Sequence, residues 1–430
     1  MGIMKRGWLA ALAGAAFMIA ASEANAQRST SRIDDWLGFD QSGDSYDQSG
    51  RAPASRELEA EPERGFPTLA KENVAATKNA IKQYAGLVAR GGWAQLPPVE
   101  LRTGMNHPAV VQLRRRLQAT GDLQAYGGYP EIYDSYVEQA VKKAQTRHGL
   151  PATGFLDRNT IEELNVPAAA RLRQIRTNLP RLESMSASVP SAGKYIVVNI
   201  PAAQIEAINN DQVVSRHTGV VGKPDRPSPL ITSAIEEINF NKDWFVPPTV
   251  LKSDLIPRGR ALQGTGKDAL AEHKLDAYAD FAAYQKGQKI DPKSIDWNSD
   301  APLHYFYVQT GGPENPLGFV KLNFQSPHHV YMHDTAAPSI FSQAFRAESS
   351  GCVRVQNVHQ LVAWLLEDQG WTVQQVLRMK ETGERLNIRL KKRVPLFWVY
   401  ITAWGTADGT VQFRRDIYRK DGIDTLASAD

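Results

Sequence analysis

The sequence places one thiol and one imidazole near each other, and together they could carry out acyl transfer. Cys352 is the single cysteine of the chain, and His333 lies upstream of it. A cysteine nucleophile needs this pair, because the thiolate attacks the substrate and the imidazole accepts the thiol proton. Gly351 permits a turn that exposes the sulfur and directs amide N–H groups toward a developing oxyanion, and Arg354 favours the thiolate. Residues 333–354 therefore predict cysteine-dependent acyl transfer.

The alternative for Cys352 is a buried structural cysteine, which is common in protein cores. Its neighbours Ser349, Ser350 and Arg354 would make a poor core environment, so the catalytic interpretation is favoured. The histidines that compete with His333 for the role of base are His304, His328, His329 and His359. Adjacent histidines on a strand point to opposite faces, and no cysteine or carboxylate stands at a metal-ligand spacing. No metal and no cofactor is therefore predicted.

The composition indicates a globular protein with more than one domain. The chain has 430 residues, of which 42% are hydrophobic and 22% charged, and its formal net charge is +4. The basic residues are scattered, which argues against dedicated nucleic-acid binding and permits an anionic polymer as partner.

The N-terminus has the pattern of a secretory signal peptide. Lys5 and Arg6 precede an apolar stretch at 7–21, and small residues at 24–26 predict cleavage after Ala26. Signal peptide 1–26 thus predicts an exported, periplasmic protein that meets the membrane only through this cleaved segment. The alternative is an uncleaved membrane anchor, although the apolar stretch is short for a span of about 20 residues. In an oxidising compartment an odd cysteine is either intermolecular or a free reactive thiol, which supports the role of Cys352.

The N-terminal half must supply helices. Residues 27–67 are polar and predict a disordered linker, because they cannot bury enough apolar surface to offset ordering entropy. Residues 68–96 predict a helical scaffold with a helix at 69–90, and 168–193 a linker helix. Between them, 97–167 predict a compact three-helix domain, with helices from Pro108, over 134–148 and after an N-cap at Asn159.

The C-terminal half must supply the strands that position the thiol. Residues 194–424 predict a mainly β catalytic domain, in which Asn357 caps the one clear helix and Asp408-Gly409 marks a hairpin. The predicted strands cover 194–200, 204–208, 213–221, 234–240, 303–309, 319–324, 329–333, 396–404 and 410–418. An insertion at about 241–300, which contains Trp244, predicts an ordered cap. The fold class is therefore multidomain α+β.

The motifs resemble a known family. His333 together with the Ser-x-Gly-Cys-x-Arg pattern at 349–354 is similar to the catalytic signature of L,D-transpeptidases of the YkuD fold. The stretches 241–248, 296–297, 315–321 and 330–335 look like the YcbB-like Gram-negative subgroup of that family. Residues 97–167 resemble a peptidoglycan-binding domain, but Ala144 stands before Gln145 where that family usually has an aromatic residue, so the module could equally be a packing scaffold.

The resemblance implies a two-step exchange on peptidoglycan stem peptides. Cys352 would form a thioester with a tetrapeptide donor and expel the terminal D-Ala, and the diaminopimelate amine of an acceptor stem would then give a 3-3 cross-link. His333 would act as general acid and base, with the Asp334 carbonyl orienting its ring. Oxyanion donors would be Tyr331 and the Gly351 backbone. Predicted substrate contacts are Arg354, Ser349, Ser350 and Trp244. Carbapenem β-lactams would acylate Cys352.

Two other functions fit the same residues. An L,D-carboxypeptidase or endopeptidase would share the acyl-enzyme and use water in place of the acceptor amine. A non-catalytic wall-binding protein would have a degenerate site. No motif separates the first of these from a transpeptidase.

Overall fold

The computed structural model describes residues 65–125, 128–343 and 345–422. The predicted signal peptide 1–26 and linker 27–67, except its last three residues, lie outside these ranges. Across the described ranges, no helix is both long and apolar enough to cross a membrane. Of the described residues, 243–316 form one compact unit, and those from 65 to 242 together with those from 317 onward form a second.

The secondary structure follows the predicted order of helices and then strands. The helices are α1 (Glu72–Ala89), α2 (Ala109–Ala119), α3 (Ser135–Arg147), α4 (Arg158–Leu164), α5 (Ala168–Ser188), α6 (Pro248–Val250), α7 (Ile256–Leu262), α8 (Ala269–Glu272), α9 (Phe281–Gln285), α10 (Val358–Leu365) and α11 (Val373–Thr382). The strands are β1 (Lys194–Asn199), β2 (Gln204–Asn209), β3 (Gln212–Gly222), β4 (Ile231–Phe240), β5 (Trp244–Phe245), β6 (Asp276–Tyr278), β7 (Phe306–Gln309), β8 (Val320–Phe324), β9 (Met332–His333), β10 (Ala347–Ser349), β11 (Val353–Val355), β12 (Leu386–Val399), β13 (Ala403–Gly405) and β14 (Val411–Phe413). The predicted multidomain α+β class is confirmed.

Helices α2, α3 and α4 pack around a small apolar core of their own. Its members include Leu113, Val137 and Leu164, each no more than 1% exposed. The N-cap of α4 is Asp157, whose carboxylate accepts a hydrogen bond from the Thr160 amide at 2.7 Å. The predicted N-cap at Asn159 is therefore wrong, because that residue already lies inside the first turn.

The buried amide of Gln145 holds the turn that precedes α4. It donates to the Phe155 carbonyl at 2.8 Å and accepts from the Gly154 amide at 2.8 Å. A buried side-chain amide is stable only when its donors and acceptor are satisfied, so this residue fixes the turn to α3.

The main sheet has nine strands and closes on itself. Its order is β10-β3-β11-β9-β8-β4-β12-β1-β2, and β2 also pairs with β3. Alternate residues of β1 face two different cores. Ile196 and Val198 join the core shared with α10 and α11, whereas Tyr195 and Val197 join a core that contains Leu182 of α5. Burial on both faces explains why β1 reads as a continuous apolar run.

Several predicted strands differ in extent from the structure, among them the one at 410–418, which is reduced to β14. The strand at 329–333 is reduced to β9, because His329 has a positive φ of 53° and cannot continue an extended strand. The strand at 303–309 begins only at Phe306, since 301–304 form a 3₁₀ turn. Near the C-terminus, 396–399 belong to the long strand β12, and the hairpin at Asp408-Gly409 joins β13 to β14.

The helices beside the sheet also differ from prediction. Asn357 has a φ of +50° and makes no capping hydrogen bond with its side chain, so it enters α10 as a left-handed residue and not as a side-chain cap. Helix α11 was not predicted. It begins with a capping box, in which Thr372 and Gln375 exchange hydrogen bonds.

The unit at 243–316 contains the predicted cap insertion. A three-stranded antiparallel sheet, in the order β5-β7-β6, is its centre. Phe245, Tyr284 and Phe306 pack their rings together, with centroids 5.2 to 6.0 Å apart. Aromatic packing of this kind supports an ordered unit. It extends to Pro316, beyond the predicted end near residue 300.

Candidate active site

Cys352 lies in the tight turn between β10 and β11, where it is partly exposed. Gly351 has a φ of +106°, which L side chains rarely adopt. The Ser349 hydroxyl donates to the Cys352 carbonyl at 2.5 Å, and the Gly351 amide donates to that hydroxyl at 3.2 Å. The turn that the sequence predicted at Gly351 is therefore present, and Ser349 fixes its shape.

The pairing of β11 with β9 brings the thiol to the histidine. The two strands are parallel, with Val353 opposite Met332 and Arg354 opposite His333. Paired residues point to the same side of a sheet, and successive residues alternate. Met332 and Val353 are fully buried in the core, so His333 and Arg354 occupy the opposite face.

The same face continues onto the neighbouring strand β8. Lys321 is opposite His333, and its Nζ lies 4.3 Å from the ring centroid of Tyr331. The rings of Tyr331 and His333 meet edge to face with centroids 5.6 Å apart. Lys321, Tyr331 and His333 thus form one polar and aromatic cluster beside the cysteine turn.

The surroundings of Cys352 act on its thiol in opposite directions. Burial raises the pKa of Cys352 to about 11, while hydrogen bonds with Tyr331 and the positive charges of Lys321 and Arg354 act to lower it. The thiol is consequently neutral at pH 7 and must lose its proton to a neighbouring base before or during attack. Burial also lowers the pKa of Lys321 and of Arg354, and the Cys352 thiolate is the first of the groups that oppose this effect.

Hydrogen bonds from Ser228 and Tyr418 connect the cysteine turn to the end of β3 at Gly222. Ser228 donates through its hydroxyl to the Gly351 carbonyl at 2.9 Å and accepts from the Gly222 amide at 2.9 Å. The Tyr418 hydroxyl donates to the Gly222 carbonyl at 2.6 Å and accepts from the Ser228 amide at 3.1 Å. A Cβ at position 222 would lie 2.2 Å from the Arg226 carbonyl oxygen, so only glycine fits there.

Two further predicted residues have defined contacts. The Ser350 hydroxyl accepts from Arg226 at 3.1 Å. The Asp334 carboxylate accepts from the Phe319 amide at 3.1 Å and packs against Gly318, and burial raises its pKa. The roles predicted for Ser350 as a substrate contact and for the Asp334 carbonyl as the orienter of His333 stay predictions.

The remaining candidates lie elsewhere. Trp244 begins β5 in the unit at 243–316 and is 5% exposed, so its contact with substrate stays a prediction. His328 and His329 are exposed and precede β9. Within residues 65–125, 128–343 and 345–422, no three or more His, Cys, Asp or Glu side chains are grouped to hold a metal ion.

Sequence reasoning missed several residues of this site. Lys321 lies in β8, where buried and half-buried residues alternate. From the sequence, only the apolar residues of this strand were interpreted, and the polar face that carries Lys321 was not considered. Ser228 lies among three prolines and a glycine within 222–229, a pattern that marks a fixed turn and could have indicated a supporting role. Tyr418 carried no signal, because it reaches the turn only through tertiary folding.

Two stretches of the chain match known families. Residues 193–385 match YkuD, described as the L,D-transpeptidase catalytic domain, and residues 106–164 match a domain described as "Putative peptidoglycan binding domain". Residues 193–385 are therefore similar to L,D-transpeptidase catalytic domains of the YkuD family, and residues 106–164 are similar to peptidoglycan-binding domains.

One curated protein and two solved structures illustrate what parts of the chain are similar to. A protein of Haemophilus influenzae named "Putative L,D-transpeptidase" is 28% identical over 239 residues, which are 56% of this chain and 47% of that protein. The chain thus matches about half the length of that relative. Among solved structures, the L,D-transpeptidase of Stackebrandtia nassauensis is 11% identical, with a TM-score of 0.26 over 71% of this chain and 97% of that one. The Mycobacterium smegmatis L,D-transpeptidase is 13% identical, with a TM-score of 0.22 over 48% and 58%.

Proposed function

We propose that this protein is an L,D-transpeptidase that joins peptidoglycan stem peptides by 3-3 cross-links through a thioester on Cys352. The observation that carries the proposal is the parallel register of β9 and β11, which sets His333 opposite Arg354 and next to the cysteine turn. The family match of residues 193–385 supports the reaction class, and the peptidoglycan-binding domain supports the polymer on which it acts.

In the first step Cys352 Sγ attacks the carbonyl at the L-centre of diaminopimelate in a tetrapeptide donor. The thiol proton passes to His333, and a C–S bond forms as the carbonyl becomes a tetrahedral oxyanion. When the C–N bond to the terminal D-Ala breaks, the amine of D-Ala leaves with the proton from His333. The product of this half-reaction is a thioester, and no oxidant or cofactor is needed.

In the second step the side-chain amine of an acceptor diaminopimelate attacks the thioester carbonyl. His333 accepts a proton from the amine, a C–N bond forms, and the C–S bond breaks to return Cys352 as a thiol with that proton. Two positively charged side chains lie near the sulfur that carries the transient charge. Lys321 and Arg354 both act on the Cys352 thiolate, so they favour the transient negative charge on sulfur in each step.

The oxyanion requires hydrogen-bond donors at the cysteine turn. Tyr331 hydrogen-bonds Cys352 through both its backbone and its phenol, which sets a donor beside the reacting sulfur. The Gly351 amide is the other candidate. Its bond to the Ser349 hydroxyl is long, at 3.2 Å, and could be exchanged for one to the substrate oxyanion as the tetrahedral state forms.

The proposed compartment is the periplasm, where the substrate polymer lies. Its support is the sequence pattern of residues 1–26, together with the two families that residues 106–164 and 193–385 match. Acylation of Cys352 by carbapenems follows from the same proposed thioester chemistry, because a β-lactam carbonyl presents a comparable electrophile to the thiol.

The product spectrum from purified disaccharide-tetrapeptide tests the proposed function. We expect mass spectrometry to detect a cross-linked dimer that has lost one D-Ala, and Cys352→Ala to abolish it. Exposed His328 provides the matched control, and His328→Ala should leave the dimer yield unchanged. Tripeptide monomer without dimer would indicate an L,D-carboxypeptidase, and the absence of any product would indicate a wall-binding protein; either result contradicts the transpeptidase proposal.

A further inference from the structure

A cavity of about 230 Å³ lies between the three-helix domain and the main sheet, and none of its lining residues belongs to the cysteine turn at 349–352. Its walls come from residues 148–160 on one side and from residues 201–203, 345–347 and 414–417 on the other. The volume exceeds severalfold the roughly 30 Å³ that one water molecule occupies in the liquid. It can therefore admit part of a ligand that the two halves hold jointly.

The sheet side of the cavity is rich in arginine. Arg346, Arg414 and Arg415 all line it. Arg414 is used structurally, since its guanidinium donates to the Arg147 carbonyl at 3.0 Å, and Arg415 lies 3.9 Å from Glu163. Arg414 contacts only neutral acceptors, but several of them occupy its guanidinium, whereas the Arg346 guanidinium donates to one carbonyl among the described residues.

Arg346 is a half-buried cation without a carboxylate partner among the described residues. Its Nη1 donates to the Gln343 carbonyl at 2.9 Å, and its Nε is buried with no hydrogen-bond partner. Burial alone accounts for the lowered pKa of this group, with no opposing charge. A buried charge is costly unless it is paired, so this guanidinium is suited to an anionic ligand.

The rest of the lining suits a peptide more than a bare ion. Phe345 exposes 45% of its surface beside Arg346, although large apolar side chains are usually buried. On the helical side, Thr153 and Asn159 offer neutral polar groups. Asp157 is the one acid in the lining, and its carboxylate caps α4 through the Thr160 amide.

We propose that this cavity binds the carboxylate end of a peptide, with Arg346 as its ion-pair partner and Phe345 as its apolar contact. Taking that peptide to be a peptidoglycan stem rests on the proposed function. The site would hold a second stem of the same polymer while the cysteine turn acts on the first. Ala347, which lines the cavity, begins the strand that leads into Ser349 and the cysteine turn.

Binding can be measured on the full chain carrying Cys352→Ala, which prevents turnover. Isothermal titration with an acetylated stem tetrapeptide should show a binding event that Arg346→Gln weakens at least tenfold and Arg346→Lys weakens less. Arg393→Gln is the matched control, since Arg393 is 69% exposed, and it should bind as the parent does. The same peptide with an amidated C-terminus should lose the event that depends on Arg346.

A second variant tests the same site in case Arg346→Gln fails to fold. Asn159 is exposed and lies in the first turn of α4, where an added carboxylate is compatible with the helix. Asn159→Asp should therefore weaken binding of the tetrapeptide without lowering the Tm. Parent-like binding by both Arg346→Gln and Asn159→Asp would overturn the proposal.

Two further comparisons of ligands in the same titration identify the source of the carboxylate. Equal binding of the amidated peptide would overturn the ion pair, and acetate or free D-alanine binding as tightly as the tetrapeptide would overturn the peptide assignment. The two proposals can fail separately. Absence of cross-linked dimer from the wild-type chain contradicts the proposed function, whereas loss of Arg346-dependent binding contradicts the cavity proposal.

Discussion

At the scale of single residues, the cysteine is held as a neutral thiol among cations. Burial raises the pKa of Cys352 to about 11, against hydrogen bonds from Tyr331 and the charges of Lys321 and Arg354. We therefore expect the free protein to react slowly with general electrophiles at neutral pH. In the proposed mechanism, His333 activates the thiol by removing its proton at the moment of attack.

The pH dependence of alkylation tests this resting state. Because only the thiolate reacts, the rate of Cys352 alkylation by iodoacetamide should rise about tenfold per pH unit below the pKa. Since the pKa lies at about 11, the rise should continue up to that pH. A plateau near pH 7 would instead reveal a preformed thiolate–imidazolium pair and contradict a neutral resting thiol.

Lys321 gives a second prediction at this scale. Lys321→Met removes a positive charge that acts on the Cys352 thiolate, so the pKa of the thiol should rise further. At pH 8 the alkylation rate should fall roughly threefold to tenfold, which corresponds to half a pKa unit to one unit. Lys391→Met, at an exposed position of β12, is the control and should leave the rate unaltered. An unchanged alkylation rate in Lys321→Met would show that the charge of Lys321 does not act on the Cys352 thiolate.

At the scale of elements, the cysteine turn is positioned by a segment distant in sequence. Tyr418 and Ser228 bridge to Gly222 and to the Gly351 carbonyl. Tyr418 lies beyond residues 193–385, which match the family model. Its hydroxyl therefore adds a support for the turn from outside the matched catalytic region.

Removing that hydroxyl should affect the chemical step more than substrate binding. In Tyr418→Phe we expect kcat to fall about tenfold with KM nearly unchanged, because small displacements of a nucleophile are costly. Stability should fall by about 1 kcal/mol, the net worth of a typical hydrogen bond. Tyr136→Phe, at a tyrosine that is 63% exposed, is the matched control. A loss in Tm with no change in kcat would limit Tyr418 to a structural role.

Comparison of sequence and structure is most informative for individual elements. The apolar periodicity of α1, the turn at Gly351 and the hairpin at Asp408-Gly409 depend on local chemistry, and all three were predictable. The length of β9 was not, since the left-handed backbone of His329 is imposed by its surroundings. The pairing of β11 with β9, which unites the candidate site, is a non-local choice that no local pattern specifies.

At the scale of the whole molecule, the N-terminal helix is joined to the C-terminal hairpin. The Thr77 hydroxyl accepts from the Gly405 amide at 2.9 Å. A Cβ on Gly405 would lie 2.6 Å from the backbone of Ala76, so the two backbones touch without room for a side chain. Helix α1 and the β13–β14 hairpin thus pack together although they are far apart in sequence.

Gly405→Ala should therefore destabilise the fold. We expect a loss of about 1–3 kcal/mol, typical of overpacking at a close backbone contact, and a lower Tm in calorimetry. Gly312→Ala is the matched control, because a Cβ there meets nothing within 4 Å and the backbone is compatible with alanine. Equal Tm values for Gly405→Ala and the wild type would show that α1 does not pack against the hairpin in solution.

We propose that Cys352 forms the acyl-enzyme and that His333, which the pairing of β9 with β11 brings next to the cysteine turn, is its base. The most direct measurement is the intact mass of the protein after mixing with disaccharide-tetrapeptide. We predict an adduct on Cys352 equal to the donor minus D-Ala, formed by His359→Ala but not by His333→Ala or Cys352→Ala. An adduct that forms at the wild-type rate in His333→Ala, or that is lost only in His359→Ala, would contradict the claim.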